Sequence, residues 1–174
     1  LAPVMSLFTF DPIAHKYYLD SQEIPSVTQI LREAGLVQYL DGFQEAVYRG
    51  LHVHTSCEFL DLNDLDWRTV HESYAGYVRA YERFKQETGF VPELIEYQAY
   101  HPVYRYGGTL DRRGLLDGKP ALLDLKTGQV ASWWPLQLAG YQLLGGEEWK
   151  DDQRIALQLT KDGTYRLHRY FEQS

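Results

Sequence analysis

An aspartate and a lysine two residues apart, Asp124 and Lys126, form the segment of this sequence best suited to chemistry. The apolar run 121–123 precedes them and a glycine follows shortly after, which predicts the end of a buried strand. Alternate residues of a strand share one face, so the acid and the cation leave the sheet together. Two other triplets of this type, 117–119 and 148–150, lack that context. A surface salt bridge in a hairpin is the alternative interpretation.

A second carboxylate, Asp111, ends the preceding β-prone segment, 103–111. If the two strands pair through the turn at 117–118, Asp111 lies beside Asp124. Adjacent carboxylates repel each other, and Mg²⁺ between them would remove that cost while keeping waters for a phosphate. Phosphodiester hydrolysis needs an activated water, neutralised charge and a stabilised leaving oxygen. The two aspartates, Lys126 and one or two Mg²⁺ or Mn²⁺ ions could supply all three.

Five motifs, in this order along the chain, resemble the RecB-like branch of the PD-(D/E)XK nuclease superfamily, which includes phage and mitochondrial DNA exonucleases. They are Gly50-x-x-x-His54, the strand residue Glu96, Gly108-x-x-Asp111, Asp124-Leu125-Lys126-Thr127-Gly128 and Gln137-x-x-x-Tyr141. The segment 24–31 also resembles the amino-terminal region of phage members. The resemblance therefore covers most of the chain, and five ordered motifs are more specific than any one of them.

The resemblance implies a ligand set for the metal. Asp111, Asp124 and the carbonyl group of Leu125 would bind the cation. His54 would ligate the same or a second cation, and Glu96 would be a secondary acidic ligand. A histidine on a helix is more often an ordinary core residue, so only the match to the motif singles out His54.

The resemblance also implies a reaction and its supporting residues. Lys126 would position the attacking water or stabilise the transition state. Gln137 and Tyr141 lie four residues apart on a helix, hence on one face, which would meet the catalytic strand and the DNA backbone. The expected activity is that of a metal-dependent deoxyribonuclease, and within the family an exonuclease on DNA ends or single strands. It would serve phage-type replication, recombination or repair, alone or with a partner protein.

Four basic residues flank the proposed site in the strand region and are predicted to contact DNA: Arg105, Arg112, Arg113 and Lys119. The formal net charge of −7 opposes this prediction, because phosphate contacts usually come from a basic surface. It is compatible with DNA binding only if carboxylates hold cations and basic residues cluster locally. A solvated surface is the alternative interpretation of these side chains.

Two other functions remain open from the sequence. The first is a nucleic-acid-binding module that keeps the fold without catalysis. The second is a zinc hydrolase that uses His52 and His54, a pair that would share a side on a strand but diverges on the helix predicted over 43–60. Substitution of Lys126 would separate the nuclease from both alternatives, and zinc content would identify the last.

Cysteine content and hydropathy exclude some classes. A single cysteine, Cys57, cannot supply an iron–sulfur cluster or a cysteine-ligated zinc site. No apolar run approaches the roughly 20 residues of a membrane span, and the first residues do not resemble a signal peptide. We therefore expect a soluble, intracellular protein without a membrane partner, in the cytoplasm of a bacterial host if a phage encodes it.

The elements that must position these residues follow from turn signals and periodicity. The sequence predicts a single α/β domain over 1–174 with a central mixed β-sheet flanked by helices, and the resemblance implies a restriction-endonuclease-like core. Residues 1–4 precede the only methionine and are expected outside the fold, and 5–35 form a hairpin and a short helix. The predicted helices are 26–35, 43–60, 66–88 and 135–144, and the predicted strands are 8–10, 15–19, 94–101, 103–111, 115–126, 154–160 and 164–171.

Overall fold

The N-terminal segment forms a small antiparallel sheet in the computed structural model, which describes residues 5–37 and 43–171. Its strands are β1 (Phe8–Asp11), β2 (Lys16–Leu19) and β3 (Gln22–Ile24). The predicted hairpin is confirmed, but the third strand was missed. The turn between β2 and β3 consists of Asp20 and Ser21, both with left-handed φ angles. This turn usually contains glycine, so the Asp-Ser pair gave no clear signal.

Helix α1 (Val27–Glu33) begins at the predicted capping box. The Ser26 hydroxyl accepts a hydrogen bond from the Gln29 backbone N–H at 3.1 Å, and the Ser26 N–H donates to the Gln29 side chain at 2.9 Å. These two bonds satisfy backbone donors that the first helical turn would otherwise leave unpaired.

The next two helices, α2 (Phe43–Asp61) and α3 (Glu72–Thr88), run along one face of the main sheet. The helix predicted from residue 66 was wrong at its start. Asp66 instead caps a short 3-10 helix, and the His71 side chain caps α3 by accepting a hydrogen bond from the Ser73 N–H. Among the residues that the structure describes, no helix is long and apolar enough to cross a membrane.

The main sheet contains five strands in the order β4-β5-β6-β7-β8. They are β4 (Val91–His101), β5 (Tyr106–Leu116), β6 (Lys119–Lys126), β7 (Gln153–Leu159) and β8 (Tyr165–Tyr170). Neighbours pair antiparallel except β6 and β7, which are parallel and are joined through α4 (Trp134–Leu144). The predicted α/β class with a mixed sheet is therefore confirmed.

Two adjacent glycines, Gly107 and Gly108, lie inside β5. A β-carbon at Gly107 would approach the Tyr17 ring to 2.8 Å, and one at Gly108 would approach the Tyr141 ring equally closely. Glycine here allows close packing on both sides of the strand and does not form a turn. The strand also continues past Asp111 to Leu116, so Asp111 lies within a strand and the prediction that it ends one was wrong.

Helices cover both faces of the main sheet. One core joins α2 and α3 to the sheet through residues such as Val53, Tyr81 and Phe84. The other joins α1 and α4 to the opposite face through residues such as Val27 and Leu138. The strand β6 contributes apolar side chains to both cores, as expected for a central strand with both faces buried.

Two helical glycines should respond in opposite directions to alanine. A β-carbon at Gly76 in α3 would meet the Lys161 carbonyl oxygen, a backbone atom, so Gly76→Ala should destabilise the fold by about 2 kcal/mol or more. A β-carbon at Gly50 in α2 would have no neighbour within 4 Å. Gly50→Ala should therefore stabilise the fold by about 0.5–1 kcal/mol through helix propensity. Urea unfolding of both variants tests this contrast, and equal effects would contradict it.

Candidate functional site

The site begins where β5 separates from β6. Their pairing runs to Arg112 opposite Leu123 and stops there. Beyond that point, the Asp111 Oδ2 atom accepts a hydrogen bond from the Leu125 N–H at 2.7 Å. The His54 Nε2 atom, from α2, lies 2.9 Å from the Leu125 carbonyl oxygen. Two side chains thus replace the missing strand partner and converge on the backbone of one residue.

Glu96 completes a group of potential metal ligands. It lies on β4 between residues that pair with β5 on either side of Asp111, and it has a left-handed φ of 47°. His54 Nδ1 is 3.4 Å from Asp111 Oδ1 and 3.8 Å from Glu96 Oε1. One ligand atom from each of the three residues lies within 4.8 Å of the others. A nitrogen and two carboxylate oxygens at this spacing could hold one divalent cation.

The charges of this group compensate one another. Burial opposes a charge on His54, but the carboxylates of Asp111 and Glu96 outweigh it and raise the pKa of the imidazole well above its usual value. Burial likewise opposes ionisation of Asp111, and His54, the Leu125 N–H and Arg112 together lower its pKa. A protonated His54 would therefore place positive charge beside the carboxylates, where a bound cation would otherwise supply it.

Asp124 and Lys126 form a separate pair on the α4 side of the sheet. The Lys126 ammonium lies 2.5 Å from Asp124 Oδ2 and forms an ion pair with it. The angles at this contact are not those of a hydrogen bond, so Asp124 Oδ2 has no hydrogen-bond donor among the described residues. Burial raises the pKa of Asp124 to about 6, with Asp111 adding to the effect and Lys126 opposing it. Asp124 is not part of the His54–Glu96–Asp111 group.

Helix α4 fixes the Lys126 ammonium. Lys126 donates to the Gln137 side-chain oxygen at 2.5 Å, and the Gln137 amide donates to the Tyr141 hydroxyl at 3.2 Å. The ammonium also lies 4.7 Å from the Trp133 ring centroid and 5.7 Å from that of Trp134. The structure therefore brings the Gln-x-x-x-Tyr pair to Lys126. Sequence reasoning missed the two tryptophans, although a Trp-Trp pair just before a helix was a visible signal.

Arg112 requires a correction, because it is fully buried and cannot contact DNA. Its Nε atom donates to Asp61 Oδ2 at 2.6 Å, and its Nη1 atom donates to Glu96 Oε1 at 3.1 Å and to the Asp111 carbonyl at 2.6 Å. The Tyr81 hydroxyl also donates to Asp61. Arg112 is thus an internal cation that links the end of α2 to Glu96. Asp61 gave no sequence signal, since a single acid at a helix end is usually solvated.

The other three basic residues do not surround the site either. Arg113 is largely buried, pairs with Asp152 at 2.7 Å and packs against the Trp149 ring. Lys119 begins β6, seven residues and about 20 Å from Lys126 at the other end of the strand. Arg105 immediately precedes β5, at a similar distance from the site, and its guanidinium contacts the Gln22 side chain. Arg113 therefore does not face the site as predicted, whereas DNA contact by the exposed Arg105 and Lys119 stays a prediction.

An open cleft of about 1100 Å³ leads to the metal-ligand group. Its walls come from the N-terminal sheet, α1 and α2, and its floor includes His54, Glu96, Asp111 and Tyr141. The volume exceeds that of most pockets for small molecules, which are about 300–1,000 Å³. A polymer strand could therefore enter the cleft with a phosphate over the three ligands.

His52 does not join this group. Its Nε2 atom accepts a hydrogen bond from the His71 N–H at 3.4 Å, and its ring packs against Tyr74. Because α2 is helical here, His52 and His54 point in different directions. The geometry of the alternative zinc site with both histidines as ligands is therefore absent from the described residues.

Comparison with known proteins does not identify a relative: no family model matches the sequence, and no curated protein is significantly similar to it.

Arg112 should be essential for stability. Arg112→Met would leave Asp61 with Lys85 as its remaining described cation and Glu96 without the Arg112 donor, and removal of one partner from a buried pair costs about 3–5 kcal/mol. Tyr81→Phe removes only a hydroxyl from the same aspartate and should cost about 1 kcal/mol. Urea unfolding measures both changes. Equal losses for the two variants would show that the Arg112 charge is not needed for stability.

Proposed function

We propose that this protein is a deoxyribonuclease dependent on Mg²⁺ or Mn²⁺, of the PD-(D/E)XK type. The observation that carries the proposal is the convergence of His54, Glu96 and Asp111 at the floor of a cleft. The neighbouring strand end carries Asp124 and Lys126, the Asp-x-Lys pair of such enzymes.

The residues present fit a divalent cation. His54, Glu96 and Asp111 would hold it, and the Leu125 carbonyl, now 2.9 Å from His54, lies at the edge of the same space. The two carboxylates and the carbonyl are oxygen ligands of the kind that Mg²⁺ and Mn²⁺ prefer. A cation held there would polarise the phosphate and lower the pKa of a bound water.

Lys126 supplies the fixed positive charge. Its ammonium is held by Gln137 and Asp124, so little reorganisation is needed when negative charge develops on a phosphate. Tyr141 lines the cleft and is hydrogen-bonded to Gln137, which connects the substrate space to the lysine. Asp124 holds the Lys126 ammonium through Oδ2. In enzymes of this type, the same carboxylate would also bind the cation.

The substrate that we propose is DNA, taken at ends or as single strands, with exonuclease action in phage-type replication, recombination or repair. The openness of the cleft to solvent suits an extended strand better than an enclosed small molecule. A recombination or replication partner would place the enzyme on its DNA. A nucleic-acid-binding module without catalysis is the outcome if the chemistry fails.

Metal binding should depend on Asp111. Asp111→Asn should weaken Mn²⁺ binding at least tenfold, because even partners outside the ligand shell typically cost about 10- to 100-fold. Asp117→Asn, in the turn of the same hairpin, is the matched control, since the Asp117 side chain is exposed and faces Arg169. Calorimetric titration of the metal-free protein measures both affinities. Equal affinities of the two variants would remove Asp111 from the site.

Cleavage should require both Lys126 and a metal. Wild-type protein should degrade end-labelled DNA in Mg²⁺ or Mn²⁺ but not in EDTA, and Lys126→Ala and Asp124→Ala should lower the rate by about 100-fold or more. Lys150→Ala removes the lysine of a similar triplet that pairs only with Glu147 on the surface, and it should retain full activity.

Labelled single-stranded and double-stranded DNA separate the finer parts of this proposal. Products that shorten stepwise from an end would indicate an exonuclease, and internal fragments an endonuclease. If the wild-type protein leaves every substrate intact in both metals, the enzymatic proposal fails and the binding module becomes the better account.

A further inference from the structure

Arg49 lies beside the site but is absent from every motif discussed above. It is on α2, five residues before His54. Its Nε atom donates to the Thr127 hydroxyl at 3.2 Å, and Thr127 directly follows Lys126. The guanidinium carbon also lies 5.6 Å from the Tyr77 ring centroid. Arg49 and His54 thus both reach from α2 to the same end of β6.

Among the described residues, no carboxylate neutralises the charge of Arg49. Within 5–37 and 43–171, Arg49 takes part in no ion pair, whereas Arg112 and Arg113 are paired with buried acids. Its two contacts are a neutral hydroxyl and an aromatic ring, which orient the guanidinium without neutralising it. A guanidinium has five N–H donors, and only one of them is used by Thr127.

Space for a ligand lies next to this guanidinium. Among the residues that the structure describes, a β-carbon at Gly128 would have a single neighbour within 4 Å, the Arg49 Nη2 atom at 4.0 Å. The Arg49 side chain is only partly covered, so solvent reaches it. The other cation at this strand end, Lys126, is already held by Asp124 and Gln137. Within the described part of the chain, Arg49 therefore keeps donors to spare.

We propose that Arg49 binds an internal phosphodiester of the substrate strand, adjacent to the phosphate over His54, Glu96 and Asp111. This inference rests on the proposed nuclease function. The planar fork of a guanidinium matches two phosphate oxygens, and such pairs are charge-assisted. A chain with a net charge of −7 needs local cations to hold a polyanion, and Arg49 supplies one beside the metal ligands.

In the competing explanation, Arg49 only connects α2 to β6 through its hydrogen bond with Thr127. Two variants distinguish the explanations. Thr127→Val removes the acceptor of that hydrogen bond and keeps the charge of Arg49, whereas Arg49→Gln removes the charge. Arg83→Gln is the control for charge alone, since Arg83 is exposed on α3 and pairs with Glu87.

The test is the affinity of the full chain for a fluorescent single strand of about 15 nucleotides, measured by anisotropy in Ca²⁺ over a series of salt concentrations. Arg49→Gln should raise Kd about tenfold and reduce the slope of log K against log salt by about 0.7, the value for one lost phosphate contact. Thr127→Val and Arg83→Gln should keep the wild-type slope. Thermal unfolding of Arg49→Gln should match that of Thr127→Val, since both lose the same hydrogen bond, and Mn²⁺ titration of Arg49→Gln should give the wild-type affinity.

Three results would overturn the proposal. An unchanged slope for Arg49→Gln would do so, as would an equal loss of slope for Thr127→Val. The proposal would also be overturned if Arg49→Gln weakened binding of a 5′-phosphorylated strand but not of a 5′-hydroxyl strand. That result would assign Arg49 to a terminal phosphate. If the wild-type protein itself binds no DNA, the proposed function fails together with this inference, whereas normal wild-type binding isolates the failure to Arg49.

Discussion

The candidate site depends on how the backbone of Leu125 is satisfied after β5 leaves β6. A central strand with an unpaired N–H and carbonyl inside the fold would lose the stabilisation of its hydrogen bonds. Here Asp111 accepts from the N–H, and His54 lies against the carbonyl. The two side chains that fill the gap left by β5 are also two of the three candidate metal ligands. The same contacts to the backbone of Leu125 therefore stabilise the strand and position two candidate ligands.

Because these groups are buried, their charges must be balanced inside the protein. Arg112 lies between Asp61 and Glu96, and a proton on His54 balances Asp111. An ion pair of this kind adds little to stability compared with an apolar core, but loss of one member is costly. Apolar side chains at these positions would stabilise the fold equally well. Cation binding would therefore explain why buried carboxylates are present instead.

The sequence predicted those features of the structure that depend on residues close together in the chain. The capping box at Ser26, helix α2, the mixed sheet and the meeting of Gln137 with Tyr141 were all accessible from spacing and residue type. The burial of Arg112 was not accessible, because the sequence around it resembles that of an ordinary strand arginine. Its partner Asp61 is fifty-one residues earlier in the chain, and only the packing of α2 against the sheet brings the two together. Similarly, Gly107 and Gly108 have turn-like composition, and only the approach of two tyrosine rings explains their place within a strand. Tertiary contacts between distant segments decided each of these cases.

The acidic composition, which argues against a partner with a phosphate backbone, has a different meaning once burial is known. Four carboxylates, those of Asp61, Asp111, Asp124 and Asp152, have side chains that are almost completely covered and face internal cations. Such groups contribute to the formal charge of −7 but repel an external polyanion less than solvated acids would, since their fields are compensated at close range. The electrostatic question for DNA binding is therefore local. It concerns the few side chains at the end of β6, where Arg49 is the cation that no described carboxylate neutralises.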